Sequence, residues 1–332
     1  MLAKLLYNNI AQVFPCYGNH FISNHSNSFL ENSSNEMVRF LADVTASPSI
    51  DESTAVRIID IAKSYGSTLA LAGISFEVQK GEIFGLLGHN GAGKTTTIRI
   101  LKGMIKPTSG EAFIFGRNIS DDPNWVKQHT GYLPEEGSLI GRLTPTELCE
   151  FIGGLFGVSP QNSRTRALEF FKMFGLFDKK DELVEKLSRG MKQKLSIISS
   201  IIHDPELIYM DEPLASLDPS AAKMVKDFIN YLAKEKGKTI IISSHRLPLV
   251  QDVCDRVAII HQGSILVIDS PANIMKMSNT TSLEEAYLTI VPGYIKPVFD
   301  TDGTLIEATE KTNELSQIND ENLEIKQEDQ EN

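Results

Sequence analysis

A glycine-rich stretch at residues 88–96 constrains this chain more than any other feature of its sequence. It reads Gly-His-Asn-Gly-Ala-Gly-Lys-Thr-Thr and matches the pattern G-x-x-x-x-G-K-[ST]. A short apolar run, Ile83 to Leu87, precedes it and predicts a buried strand, and an apolar-periodic run from Thr96 predicts a helix. Strand, glycine loop and helix in this order predict a phosphate-binding loop, whereas a glycine-rich turn with a chance Lys-Thr pair would lack these flanks.

The residue types of the loop fit this chemistry. Gly88, Gly91 and Gly93 lack Cβ atoms, so the backbone can curl and point its N–H groups at an anion. The following helix adds unpaired N–H groups and the positive end of its dipole. Lys94 is predicted to reach the outer phosphates, and the Thr95 hydroxyl is predicted to ligate Mg²⁺. The other predicted contacts to the nucleotide are His89, Asn90, Ala92 and Thr96.

Composition and charge exclude several classes of protein. The 332 residues suit one large or two ordinary domains, and the 41% hydrophobic content suits a substantial core. The net charge of −11 argues against a general affinity for nucleic acid. Three widely spaced cysteines form neither a zinc pattern nor a disulfide framework, which indicates a reducing cytosol. No apolar run approaches the roughly 20 residues of a membrane span, so we expect a separate chain to supply any membrane part.

Three segments are predicted along the chain. Residues 1–54 are rich in Asn and Ser and fit neither a signal peptide nor a transit peptide, so we expect a poorly ordered extension or an upstream start codon with the real start at Met37. Residues 55–290 are predicted to form the globular domain. Residues 291–332 are predicted to be an acidic, disordered tail, because residues 295–332 contain eleven acidic residues and three lysines.

The globular domain alternates strand and helix signals, which predicts an α/β fold. Residues 56–61 and 69–78 are predicted as an initial pair of strands, joined by a loop that contains Tyr65. A helical block at about residues 137–203 interrupts the alternation and predicts an inserted subdomain. One face of its first helix is expected to lie in the core and carries Leu148, Phe151, Ile152, Leu155 and Phe156.

Two further sites predict catalytic chemistry near the loop. An apolar strand ends in Asp211 and Glu212, which could hold Mg²⁺ and accept a proton from an attacking water, or could be ordinary solvated acids. His245 follows another buried strand. Ligands bind at the carboxyl ends of parallel strands, so His245 could contact a γ-phosphate, although a lone histidine in such a place is more often structural.

Five motifs now stand in a fixed order and spacing, and together they resemble an ATP-binding-cassette (ABC) ATPase over residues 55–290. The two-component exporter ATPases are most similar. The resemblance implies a P-loop NTPase core with a parallel sheet, an antiparallel β subdomain on its N-terminal side and an inserted helical subdomain. It also implies ATP and Mg²⁺ as cofactors. The motifs are Gly88–Thr96, Leu187–Met191, Ile208–Pro213, Ala215–Asp218 and Ser244-His245.

The resemblance also implies roles for single residues. Tyr65 would stack on adenine. Ser188 and Gly190, at a helix N-terminus, would close over the γ-phosphate held by a second subunit, and Asp218 would couple the two sites. Glu135 occupies the position at which the family usually has Gln, the residue that senses the γ-phosphate and Mg²⁺.

The chain departs from the family pattern at three positions. Glu135 keeps an oxygen ligand but adds a negative charge near ATP. Arg189 and Met191 replace the commoner Gly and Gln of the signature. Because Ser188 and Gly190 remain, anion binding there is expected to survive.

The resemblance implies an ATP-binding and ATP-hydrolysing subunit that powers transport, with export favoured, through separate transmembrane permease subunits. It further implies a dimer with a second ATPase subunit, identical or different, and a cytoplasmic location on the inner face of the membrane, with no nucleic-acid partner. A soluble, non-transport ABC ATPase is the alternative, as is a regulatory nucleotide-binding module without turnover. The DNA-repair branch of the soluble class has long coiled-coil arms, whereas only about 90 residues separate Thr95 from Leu187 here. The translation branch has two cassettes in one chain, and this chain contains one.

Overall fold

The computed structural model describes residues 53–135 and 139–292, together with the backbone of the strands at 296–299 and 305–309. The predicted extension at residues 1–54 lies outside these residues except for its last two, and so does the predicted start of the insertion at residue 137. Most of the predicted tail, 291–332, also lies outside them. The predicted segment boundaries stay predictions.

Strands and helices alternate along the described chain. The strands are β1 (Thr54–Tyr65), β2 (Thr68–Gln79), β3 (Ile83–Leu87), β4 (Ser109–Ile114), β5 (Arg117–Asn118), β6 (Thr130–Leu133), β7 (Leu207–Asp211), β8 (Thr239–Ser244), β9 (Arg256–His261), β10 (Ser264–Asp269), β11 (Lys296–Phe299) and β12 (Leu305–Thr309). The helices are α1 (Lys94–Leu101), α2 (Pro123–His129), α3 (Pro145–Leu155), α4 (Pro160–Met173), α5 (Arg189–Ile201), α6 (Pro219–Asn230), α7 (Leu247–Val253), α8 (Pro271–Met277) and α9 (Leu283–Ile290).

Two sheets form the body of this part of the chain. A six-stranded sheet has the order β10-β9-β3-β8-β7-β6, and its strands are parallel except for β10, which pairs antiparallel with β9. A four-stranded antiparallel sheet has the order β2-β1-β4-β5. The parallel sheet brings the carboxyl ends of β3, β7 and β8 to one edge, which is where ligands bind in open α/β sheets.

The parallel sheet has a hydrophobic core on each face. Along β7, Ile208 and Met210 pack into the core on the side of the helical insertion, while Leu207 and Tyr209 pack into the core shared with the antiparallel sheet. This alternation follows from the two-residue period of a strand. A strand buried on both faces must be apolar throughout, and that is why β7 and β8 read as continuous apolar runs.

The structure corrects the predicted core of α3. The helix forms, with Leu148 buried, but Phe151 is 49% exposed and Leu155 is 67% exposed. Helical periodicity identifies an apolar face but does not say whether another element covers it, and no described residue does so here. On α4, by contrast, Phe171 is fully buried.

Two local points of the sequence analysis also need correction. Tyr65 is the last residue of β1, where it pairs with Thr68, and does not lie in the loop. The sequence analysis missed β5 and α2, although Asp122 caps α2 and Pro123 opens it. The antiparallel pair β11–β12 lies within the predicted tail; most of that tail is outside the described residues, and its predicted disorder stays a prediction.

No helix in the described part of the chain combines the length and the hydropathy that crossing a bilayer requires.

Candidate active site

The phosphate-binding loop lies between β3 and α1, as predicted, and two of its glycines have no room for a side chain. A Cβ atom on Gly88 would lie 2.4 Å from the carbonyl oxygen of Ile260. Gly93 has φ +115°, and its Cβ would lie 2.7 Å from Cδ2 of Leu71. Any other residue at either position would push the loop off the sheet, so the sequence fixes the loop's close approach to β9 and β2.

Lys94 folds back over the loop. Its side chain is 6% exposed, and Nζ donates to the carbonyl oxygens of Gly88 (2.7 Å) and His89 (3.1 Å). Burial lowers the pKa of Lys94, and the nearby carboxylates of Glu212, Asp211 and Glu135 oppose that effect. The ammonium group is therefore buried at the loop and close to three acids that lie far apart in the sequence.

Thr95 and Asp211 bring two hard oxygen ligands together. Thr95 Oγ1 donates to Oδ2 of Asp211 at 3.1 Å, and Ser243 Oγ hydrogen bonds to the other carboxylate oxygen. Asp211 is 1% exposed. This pair fits Mg²⁺, which binds one or two protein oxygens and takes its remaining ligands from phosphate and water. Among the described residues, no cluster of three His, Cys, Asp or Glu could hold a metal without such help.

Glu212 and His245 meet across the ends of β7 and β8. Glu212 Oε1 accepts from the His245 backbone N–H (2.8 Å) and lies 2.6 Å from Nδ1 of its ring, while Oε2 accepts from Ser244 Oγ (3.0 Å). Glu212 has φ 50° and is 5% exposed. A bulky residue in the left-handed region is strained, and such strain gathers at functional sites. The two predicted catalytic residues are therefore in direct contact.

Sequence reasoning gave no role to the two serines that hold the acid pair, although Ser244 stands in the fifth motif. Ser243 and Ser244 end β8, and in the parallel register Ser243 lies beside Asp211. The available signal was two hydroxyls directly before His245, at the carboxyl end of a predicted buried strand.

The predicted signature residues lie at the start of α5. Ser188 is its N-cap and accepts the Met191 N–H at 3.3 Å, and it is exposed, while Gly190 is half-buried. No hydrogen bond between described residues joins Ser188 or Gly190 to the phosphate-binding loop. Gln193, which the sequence analysis did not single out, donates from Nε2 to the carbonyl of Pro213 (3.2 Å) and ties α5 to the loop after Glu212.

The remaining predicted contacts lie at the edges of the site. Tyr65 is 48% exposed, with Nζ of Lys63 lying 5.1 Å from its ring centroid. Glu135 is exposed and follows β6. Asp218 caps α6 by accepting the Ala221 N–H at 2.9 Å, and its backbone hydrogen bonds lower its pKa. These three roles stay predictions.

Comparison with known proteins gives one family. The family model "ABC transporter" matches residues 71–215. The chain is 39% identical over 232 residues to the bacitracin transport ATP-binding protein BcrA of Bacillus licheniformis, covering 70% of this chain and 74% of the relative. It is 36% identical over 215 residues to the linearmycin resistance ATP-binding protein LnrL of Bacillus subtilis, covering 65% and 69%.

Solved structures give the same fold. The ATP-binding subunit of an ABC transporter superposes with a TM-score of 0.67 at 30% identity, covering 71% of this chain and 99% of that chain. The cassette MJ0796, solved as a dimer bound to ADP and Pi, gives a TM-score of 0.61 at 24% identity, covering 65% and 98%. The predicted P-loop fold is confirmed. The chain belongs to the family of ABC transporter ATP-binding proteins.

Proposed function

We propose that this protein hydrolyses ATP and thereby powers export through separate transmembrane permease subunits. The observation that carries the proposal is the contact of Glu212 with His245 beside the Thr95–Asp211 pair, all at the mouth of the phosphate-binding loop. A nucleotide-binding module without turnover would not need a buried, strained carboxylate at this point.

The residues of the chain divide the chemistry among them. The N–H groups of the loop and Lys94 would hold the phosphates, and Thr95 with Asp211 would hold Mg²⁺. When bound, Mg²⁺ would neutralise charge that develops on the transferring phosphoryl group. Glu212 would orient the attacking water and take its proton.

His245 has a constraint that the sequence did not show. A carboxylate oxygen only accepts, so the contact of Nδ1 with Glu212 places the ring hydrogen on Nδ1. Nε2 can then donate to a phosphate oxygen only if the ring is protonated or Nδ1 leaves Glu212. We infer that the pair rearranges during each catalytic cycle.

A second subunit is proposed to complete the site. Ser188 is exposed at the N-terminus of α5, a position suited to an anion, yet its own chain's loop does not reach it through any hydrogen bond among the described residues. The dimeric state of the cassette MJ0796 supports an arrangement in which Ser188 and Gly190 of one subunit close over the nucleotide of the other. The partner could be an identical or a different ATPase subunit.

The membrane assignment rests on two further points. Two of the relatives are named for bacitracin transport and for linearmycin resistance, which favours export. Phe151 and Leu155 on α3 present an uncovered apolar surface on the helical insertion, which suits a permease subunit. The protein would then lie in the cytoplasm against the inner face of the membrane, held there by its partners.

Glu212→Gln tests the proposal, because the amide cannot take a proton but keeps the size of the side chain. Steady-state hydrolysis should fall by at least ~100-fold, while ATP binding persists and size-exclusion chromatography with ATP and Mg²⁺ shows a stable dimer. Glu206→Gln, an exposed change beside β7, is the matched control and should leave both properties unchanged. A Glu212→Gln protein that stays monomeric and keeps hydrolysing would reject the assignment.

Co-purification with membranes separates this proposal from a soluble, non-transport ABC ATPase, which would remain in the supernatant of cells expressing the whole transporter.

A further inference from the structure

Two lysines are buried among the described residues, and they lie at opposite ends of the same helix. Lys94 begins α1 and belongs to the phosphate-binding loop. Lys102 directly follows α1, is 8% exposed and has no role in the chemistry derived above. Burying a charged amine is costly unless it is paired, yet no described carboxylate forms an ion pair with Lys102. Such a group needs a physical reason to be there.

Lys102 is held by oxygen atoms of the neighbouring chain. Its Nζ donates to the carbonyl oxygen of Thr130 (2.5 Å), to the Thr130 hydroxyl (2.7 Å) and to the carbonyl oxygen of Lys127 (3.1 Å). All three hydrogens of the ammonium group are therefore used. Its position at the carboxyl end of α1 also suits a cation, because the helix dipole is negative there.

Lys102 hydrogen bonds to the start of strand β6, and that strand leads to Glu135, the predicted γ-phosphate sensor. Thr130 is the first residue of β6, and Glu135 follows the end of that strand by two residues. The same two elements meet at a second point: burial raises the pKa of Tyr132 in β6, and the nearby charge of Arg99, in the last turn of α1, opposes that effect. Helix α1, which follows the phosphate-binding loop, is thus fixed at its carboxyl end to β6, the strand that leads to Glu135.

A third element meets at the same carbonyl. His203, just after α5, places Nε2 3.3 Å from the Thr130 carbonyl oxygen, and its ring stacks on Phe156 with centroids 3.7 Å apart. Because a carbonyl only accepts, Nε2 carries the hydrogen. The opposite end of α5 carries Ser188. One backbone oxygen therefore joins α1, β6 and the end of α5.

We propose that Lys102 is a positioning residue, which together with His203 holds the phosphate-loop helix, the strand of Glu135 and the helix of Ser188 in fixed relation through the Thr130 carbonyl. This inference rests on the proposed function. Misplacing catalytic groups by about 1 Å can cost about 100-fold in rate, so loosening this junction should slow turnover without removing any group that binds phosphate.

The charge of Lys102 gives the junction a pH dependence. Burial and the nearby charge of Lys127 lower its pKa to about 8. Above that pH the neutral amine has two hydrogens for three acceptors. The other titratable group is His203, whose pKa burial lowers to about 4, with Asp204 and Arg166 nearby; it stays neutral throughout the alkaline range. Turnover should therefore fall as the pH rises through about 8.

The test compares Lys102→Met and Lys102→Arg with Lys106→Met, an exposed control in the segment after α1. Nucleotide affinity and binding stoichiometry are measured by calorimetry. The kinetic constants kcat and KM are measured from pH 6.5 to 9.5, and hydrogen exchange of residues 130–135 is measured without nucleotide. We expect Lys102→Met to bind nucleotide with full stoichiometry and an affinity within about threefold of wild type, with kcat about tenfold lower. Exchange at 130–135 should be at least about tenfold faster.

Lys102→Arg should restore most of the turnover and keep it at pH 9, where the wild type declines, because guanidinium remains charged. Thr130→Val replaces the hydroxyl by a methyl group and so removes one acceptor of Lys102 together with the hydrogen bond to the Val126 carbonyl; it repeats the test should Lys102→Met fail to fold. The inference would be overturned if Lys102→Met kept the kcat per bound nucleotide of the wild type and also its hydrogen-exchange rates at residues 130–135. A wild-type protein that neither binds nor hydrolyses ATP would instead reject the proposed function, and the exchange measurement would still decide the structural role of Lys102.

Discussion

Glu135 adds a third negative charge to the surroundings of Lys94, beyond those of Asp211 and Glu212. Without metal, such a charge should repel the phosphates of a nucleotide; with Mg²⁺ present, the same carboxylate can assist its binding. Glu135→Gln should therefore tighten metal-free nucleotide binding by about fivefold, which corresponds to ~1 kcal/mol for an exposed charge. It should also raise the Mg²⁺ concentration needed for half-maximal hydrolysis.

Calorimetry with and without Mg²⁺, together with a Mg²⁺ titration of the hydrolysis rate, measures both effects. Glu169→Gln, an exposed change on α4, is the control for lost negative charge. If Glu135→Gln behaves like that control, Glu135 does not belong to the site.

Tyr209 carries a polar atom to which the proposed chemistry assigns no role. Its hydroxyl is fully buried in β7 and has no hydrogen-bond partner among the described residues, and burial raises the pKa of Tyr209 far above its ordinary value. An unsatisfied buried hydroxyl costs ~1–3 kcal/mol. Tyr209→Phe should therefore leave the free energy of unfolding unchanged or raise it by about 1 kcal/mol, as urea denaturation would measure.

Tyr132→Phe is the informative comparison, because its half-buried hydroxyl lies beside the charge of Arg99. That change should lower the free energy of unfolding by about 1 kcal/mol. A clear loss of stability in Tyr209→Phe would show that the buried hydroxyl has a partner, such as an ordered water.

At the scale of elements, α3 owes its start to a complete capping box. Thr144 Oγ1 accepts the Glu147 N–H at 3.2 Å, and Glu147 Oε2 accepts the Thr144 N–H at 2.8 Å, with Pro145 in the first helical position. Thr144→Ala should cost about 1 kcal/mol in thermal or urea unfolding. Thr165→Ala, an exposed change within α4, should cost nothing, because alanine is the better helix former.

The same cap has a defined pH dependence. The hydrogen bonds from Thr144 lower the pKa of Glu147 from its ordinary 4.5. Glu147 therefore contributes fully to the free energy of unfolding above its ordinary pKa of 4.5, and this contribution is lost as the pH falls through the lowered pKa. Equal destabilisation by Thr144→Ala at pH 7 and at a pH low enough to protonate Glu147 would contradict an ionised cap.

Local signals explain which elements the sequence could predict. The loop at 88–96, the acid pair at the end of β7 and the start of α3 each depend on a few adjacent residues, so they can be predicted without tertiary information. The two-sided burial of β7 and β8 is similarly visible as continuous apolar runs.

Features that depend on packing between distant segments could not be predicted in this way. Ser243 serves Asp211 only because β7 and β8 pair in one particular parallel register. Lys102 looks like an ordinary lysine at a helix end, and its burial comes from the packing of α2 and β6 around it. The exposure of Phe151 is invisible to periodicity, since a helix has the same apolar pattern whether or not a partner covers it.

At the scale of the whole molecule, the exposed side chains of Phe151 (49%) and Leu155 (67%) are one turn apart on α3, so they form one continuous apolar face. Burying two such side chains against a partner is worth ~1.5–3 kcal/mol each.

The double variant Phe151→Ser and Leu155→Ser should therefore lower association with membranes of cells expressing the whole transporter by at least about tenfold. Thermal stability and the hydrolysis rate of the isolated subunit should not change, because neither residue is buried or belongs to the candidate active site. Met277→Ser, which alters a side chain that is 65% exposed on α8, should leave membrane association intact. Quantifying the protein in washed membranes checks the expectation, and a double variant that stays with the membranes at the wild-type level would show that the permease binds another surface.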